Sequence, residues 1–144
     1  MNFQWLKNLF GSSKKQEKPG SQVFENIIVA QVTKIEKHPN ADRLRVIELT
    51  DGVKTYAPVV CGAWNFETGA IVPLALPGAT IPHDQHDSEG KPFTLGKATI
   101  RGVESQGMIC SGKELGITDD GKGILILPAG SKLGGNFSSD LVKS

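Results

Sequence analysis

The chain has 144 residues, 16 basic and 15 acidic, with a formal net charge of +1. That length suits one domain and is short for two. Apolar residues at 38% supply a core, while near-neutrality removes any global signature of a polyanion binder, so a nucleic-acid argument has to rest on local clustering.

No apolar stretch approaches the ~20 residues that span a bilayer. The opening MNFQWLKNLF lacks the apolar core and cleavage site of a secretory signal. The expected setting is the cytoplasm, with no membrane partner, and Cys61 and Cys110 fit it as reduced thiols. Neither belongs to a CxxC pair, so no metal site is expected.

Residues 1–10 are patterned as a short amphipathic helix, with Phe3, Leu6 and Phe10 on one face. GSSKKQEKPGSQ (11–22) has no apolar side chain and reads as a flexible linker. Thus 1–22 is an irregular N-terminal segment, 23–130 the folded domain and 131–144 a C-terminal tail with Phe137 and Leu141 as packing points.

Within the domain, IIVAQVTKIE (27–36) is a β-branched run and a predicted strand. HPNAD (38–42) breaks it, and LRVIELT (44–50) is a second strand closed by Asp51-Gly52, a hairpin signal. KTYAPVVCG (54–62) and AIVPLALPG (70–78) follow; Pro58 and Pro73 each point to an edge or an irregularity. PHDQHDSEGKP (82–92) reads as a protruding loop. FTLGKATIRG (93–102) returns to strand, SGKELGI (111–117) is a predicted short helix with Ser111 and Glu114 as a capping box, and GILILP (123–128) is a last strand.

Short strands with frequent turns and one late helix describe a mainly β protein, a five-stranded barrel of the oligonucleotide-binding (OB) type. In the first strand Ile27, Val29 and Ile35 lie on one side and Ile28, Ala30 and Val32 on the other. Burial of both faces requires a cover layer, from this chain or from a partner such as a homodimer mate.

Chemistry-bearing motifs are sparse. GxxxxGK[ST], GxGxxG and GxSxG are absent, the carboxylates form no evident acid/base pair, and no catalytic residue or cofactor is expected. Three stretches are informative. EKHPNADRLRV (36–46) is a rigid corner carrying His38, Arg43 and Arg45, in which Asn40 and Asp42 bond their own backbone; arginine meets phosphate and stacks on unpaired bases. VCGAWN (60–65) puts Trp64 in a turn, either a stacking platform or a lid over the core. From 91 to 113, Lys91, Lys97, Arg101 and Lys113 face one acid, Glu104, around a polar tip at Glu104-Ser105-Gln106. Exposed cations with Ser and Gln donors are the residue types that bond phosphate and base edges. The candidate RNA contacts are Arg43, Arg45, Lys97, Arg101, Ser105, Gln106 and Lys113.

The motifs HPNADRL (38–44), VVCGAWN (59–65), ALPGATIP (75–82) and IRGVESQGMICSGKELGI (100–117), in that order, resemble the tRNA-binding domain of bacterial phenylalanyl-tRNA synthetase β subunits. Related domains occur in stand-alone tRNA-binding proteins and appended to methionyl-tRNA synthetase. The resemblance covers about residues 24–130, and WLKNLF near the start is similar to the opening of that subunit. It implies an OB barrel that binds tRNA outside the catalytic site, as the N-terminal domain of such a subunit or as an independent module. The partners it implies are tRNA and the synthetase catalytic subunit. Trp64 stands where the family commonly has proline, and Thr99 where it commonly has lysine two residues before Arg-Gly. Those departures motivate an alternative: a non-catalytic scaffold of the same fold that contacts proteins and not RNA.

Overall fold

The computed structural model describes residues 23–84, 89–118 and 122–142. The expected N-terminal helix and linker lie outside these residues. The fold is mainly β. Five strands line up as β3 (Thr55–Cys61), β2 (Arg45–Thr50), β1 (Val23–Lys37), β4 (Ile71–Ala75) and β9 (Met108–Ile109), with β10 (Asn136–Ser138) also paired to β1. Two small hairpins stand beside this sheet: β5 (Thr80–Ile81) with β6 (Phe93–Thr94), and β7 (Ala98–Ile100) with β8 (Val103–Ser105).

β1 organises the sheet because it is long and bent. Its residues 27–31 pair with β4 on one edge, while on the other edge its start pairs with β10 and residues 31–37 pair with β2. Register shifts at 24–28 and 32–34 mark irregularities of the kind that bend and twist a strand. Asn26 sits in the first of them at φ 61, a conformation that asparagine tolerates better than most residues.

The two apolar faces of β1 enter two different cores. Ile28, Ala30 and Val32 join Ile47, Leu49, Val59, Val72, Leu74 and Ile109. Ile27 and Val29 join Phe24, Ile71, Ile81, Cys110, Leu115, Leu127 and Phe137. The chain therefore supplies its own second layer. The segment expected to be a tail is part of that layer: β10 pairs with β1, and Phe137 is fully buried 5.4 Å from the Phe24 ring. The fold accordingly runs on past residue 130.

The strand ladder is not continuous from β9 back to β3. Two bonds span the seam: the Gln106 N–H donates to the Pro58 carbonyl (2.8 Å), and the Val60 N–H donates to Ser105 Oγ (2.9 Å). Pro58 lies on β3, at one end of the strand order, as its missing donor requires. Pro73 is a correction, since it lies inside β4, which is buried throughout. Its carbonyl accepts from the Cys110 N–H, so the side lacking a donor faces the two-residue β9 and leaves the β1 ladder intact.

Three further expectations change. Residues 111–117 form one tight turn and no helix: Ser111 and Glu114 do make the reciprocal capping box, but Gly116 at φ 74 ends the turn at once. GILILP contributes a single bridge, Leu127 to Ile71. The run 93–102 splits because Leu95 exchanges backbone bonds with Gly78 and Ala79, after which the chain leaves at Gly96 for the second hairpin.

Gly107 holds the turn into β9 against β4. A Cβ there would stand 2.6 Å from the Ala75 carbonyl oxygen, backbone that cannot yield without disturbing the β4–β9 pairing. Gly107→Ala is expected to destabilise the fold by about 1–3 kcal/mol, the cost of overpacking, read as a lower midpoint in urea. Gly96→Ala, with nothing within 4 Å, serves as the neutral control.

Candidate nucleic-acid interface

The 38–44 corner is built around a buried histidine. His38 Nδ1 accepts the Asn40 N–H (3.0 Å), so the ring proton resides on Nε2 and is donated to the Ile100 carbonyl (3.0 Å). His38 is thereby a structural clamp and offers no face to a base. Asn40 does not bond its own backbone as expected; its Nδ2 donates to the Arg101 carbonyl (2.9 Å), and Asp42 pairs with Lys37 (3.7 Å).

The His38–Ile100 and Asn40–Arg101 bonds dock the β7–β8 hairpin on the corner. Ile100 pairs with Val103, leaving a two-residue turn at Arg101 (φ 53) and Gly102 (φ 90). Positive φ at both positions is the type I′ geometry that suits a twisted hairpin. The tip is thus Arg101-Gly102, and Glu104-Ser105 belongs to the returning strand. The Arg101 backbone is pinned by Asn40 while its side chain is exposed; Arg43, also exposed, lies three residues along the chain from Asn40.

The base of the hairpin borders a groove of about 370 Å³ lined by Lys54, Thr55, Tyr56, Leu76, Lys97 and Gln106 among others. The β2–β3 turn supplies one wall. Asp51 accepts the Val53 and Lys54 N–H groups (2.9 and 2.7 Å) and the Tyr56 hydroxyl (2.9 Å). Those backbone donors, foremost Lys54's, hold the Asp51 carboxyl below its ordinary pKa, and partial burial with the Asp51 bond raises that of Tyr56. Lys54 Nζ lies 5.1 Å from the centre of the Tyr56 ring. The groove therefore presents two cations, an aromatic ring and an amide, a chemistry that fits phosphate and sugar.

Among the described residues Arg43, Lys54, Lys97, Arg101 and Lys113 are exposed and none is in an ion pair. Lys97 and Gln106 meet in the groove, and Arg43 and Arg101 flank the corner. Lys113 does not line the groove; it sits on the turn whose Leu115 packs into the second core. Lys54 and Tyr56 were missed by sequence reasoning; a lysine after a hairpin turn carries no signal until folding sets it across from Lys97.

Two expected contacts are withdrawn from the surface. Arg45 is 5% exposed: its Nη2 donates to the Ala63 and Phe66 carbonyls (3.2 and 3.1 Å), and its guanidinium lies 4.6 Å from the ring centres of both Trp64 and Phe66. Ser105 is 4% exposed, its hydroxyl donating to the Gly107 carbonyl (2.8 Å) while accepting from Val60. Both are spent on holding the fold. Burial also pushes the thiols of Cys61 and Cys110 up, which leaves them unreactive.

Residues 27–136 match the family model described as "Putative tRNA binding domain". The phenylalanine–tRNA ligase beta subunit of Dechloromonas aromatica is 41% identical over 129 residues, 90% of this chain and 15% of that protein. The same subunit of Cupriavidus pinatubonensis is 44% identical over 119 residues (83% and 14%), and that of Chlamydia pneumoniae 46% over 121 (82% and 15%). The chain thus spans about 15% of the length of these relatives. Among solved structures, an RNA ligase mutant of Naegleria gruberi superposes with a TM-score of 0.48 at 18% identity, over 62% of this chain and 29% of that one, a likeness too weak to carry an argument.

Proposed function

This chain belongs to the tRNA-binding domain family, and from that premise we propose that it grips tRNA through the β7–β8 hairpin and the surfaces at its two ends. Lys54 and Lys97 meet phosphates at the groove, Arg43 and Arg101 at the corner, and Gln106 donates to phosphate, sugar or a base edge. The observation that carries this reading is the set of exposed, unpaired cations on backbone that hydrogen bonds hold still: Arg101 through Asn40, and Lys97 beside a seam closed by Gln106. A fixed backbone spares the cost of ordering the loop when these cations meet a polyanion, and local clustering offsets a net charge of only +1.

The protein performs no chemistry on the RNA in this reading and needs neither metal nor cofactor. Its setting is the cytoplasm; no described helix is long and apolar enough to cross a membrane. The likeness to ligase beta subunits supports a place beside the catalytic subunit of a phenylalanine–tRNA ligase, holding tRNA away from the reacting end.

Filter-binding titration of total tRNA at several salt concentrations tests the proposal. Four phosphate contacts give a slope of about −3 in log affinity against log salt, or roughly a 60-fold loss between 50 and 200 mM. A flat titration, or no retention at 50 mM, overturns it.

A further inference from the structure

We infer that the solvent face of Trp64 is a stacking platform for one unpaired nucleobase of the bound RNA, an inference that rests on the tRNA-binding reading above. Trp64 is 55% exposed, yet its ring is fixed from several directions. The indole N–H donates to the Arg43 carbonyl (3.0 Å). The Arg45 guanidinium lies 4.6 Å from its ring centre and is itself backed at 4.6 Å by Phe66 and bonded to two carbonyls. The next residue, Asn65, locks the loop to the 123–128 segment, donating to the Ile124 carbonyl and accepting its N–H (both 3.1 Å).

A lid serving only to cover Arg45 needs one face of one ring, and Phe66 already supplies a buried one. The outer part of the indole remains in water, immobilised, at apolar cost. A fixed aromatic plane is what base stacking requires: it is sequence-tolerant and loses little freedom on binding. The cation behind the ring draws its electron density inward, which favours an electron-rich base in front. Position agrees with the occupant, since Trp64 is bonded directly to Arg43, and Asn40 of the same corner carries the Arg101 turn. Phosphates held by those arginines would place an adjoining base at the indole. The acid of the corner, Asp42, is paired with Lys37. A base inside a duplex has both faces covered, so the ligand is single-stranded: a loop, bulge or end.

The test uses the full chain with Trp5→Phe, so that Trp64 is the sole indole and the site itself is unaltered. Total tRNA should quench and blue-shift its emission, and a fully paired 16-base-pair RNA should not. Trp64→Ala should lower affinity for tRNA about tenfold while leaving the salt slope unchanged, because stacking displaces no counterion; Trp64→Phe should recover part of the loss. Retention of tRNA with unquenched emission, or equal quenching by tRNA and duplex, overturns the stacking inference and leaves the cationic hairpin standing. Failure of the unsubstituted protein to retain tRNA overturns both readings.

Discussion

Replacing Lys97 and Arg101 together with alanine is expected to weaken tRNA binding on the order of 100-fold at 50 mM salt, if each charge-assisted contact is worth about tenfold, and to flatten the salt slope by about 1.5. The second effect is the diagnostic one. Each phosphate contact releases its own share of condensed counterions, so losing two removes two shares whatever happens to shape complementarity. A variant that loses affinity with its slope intact has lost something other than phosphate contacts. Stability should barely move, since both side chains are exposed and neither is in an ion pair. Lys113→Ala locates the boundary of the surface. Its turn packs Leu115 into the second core and Lys113 does not line the groove, so the slope should remain that of the unsubstituted protein. A drop of about one would extend the interface across that face. Binding unchanged by the double substitution would remove the hairpin from the site.

Much of the sheet was legible because its central strands are long and β-branched. Strands β1 to β4 fall within a few residues of their predicted spans. The unclean alternation of β1 also meant what it appeared to mean, two buried faces, although only the folded structure reveals that Leu115, Leu127 and Phe137 of the same chain help to supply the cover. What escaped was non-local. β10 is three residues long and becomes a strand only because β1 offers it an edge. GILILP has the composition of a strand, but Ile124 is engaged by an Asn65 side chain and Leu125 by the Cys110 carbonyl, so no continuous ladder forms. The cations were readable as a cluster, whereas their division into a corner, a groove and a separate turn depends on how the hairpin docks through His38 and Asn40.

Arg45 is the case in which a signal was present and went unread. In RVIELT the period of two places Arg45 on the same face as Ile47 and Leu49, both fully buried. Charge made it an RNA candidate while register made it a core residue, and register prevailed because the fold supplies two carbonyls and two rings to receive the guanidinium. Such a group is hard to replace. Arg45→Ala would leave the Ala63 and Phe66 carbonyls without their donor and open a gap between two rings, which should cost about 3–4 kcal/mol. Arg45→Lys keeps the charge and a donor nitrogen but lacks the planar surface that stacks between the rings, so it should recover only part of that. Urea denaturation measures both. A loss under about 1 kcal/mol for alanine, an ordinary surface value, would mean that the guanidinium is dispensable to the fold. The two roles also separate in binding: under conditions where Arg45→Lys remains folded it should keep the salt slope of the unsubstituted protein, because a cation sealed between Trp64 and Phe66 contacts no phosphate and so releases no counterion.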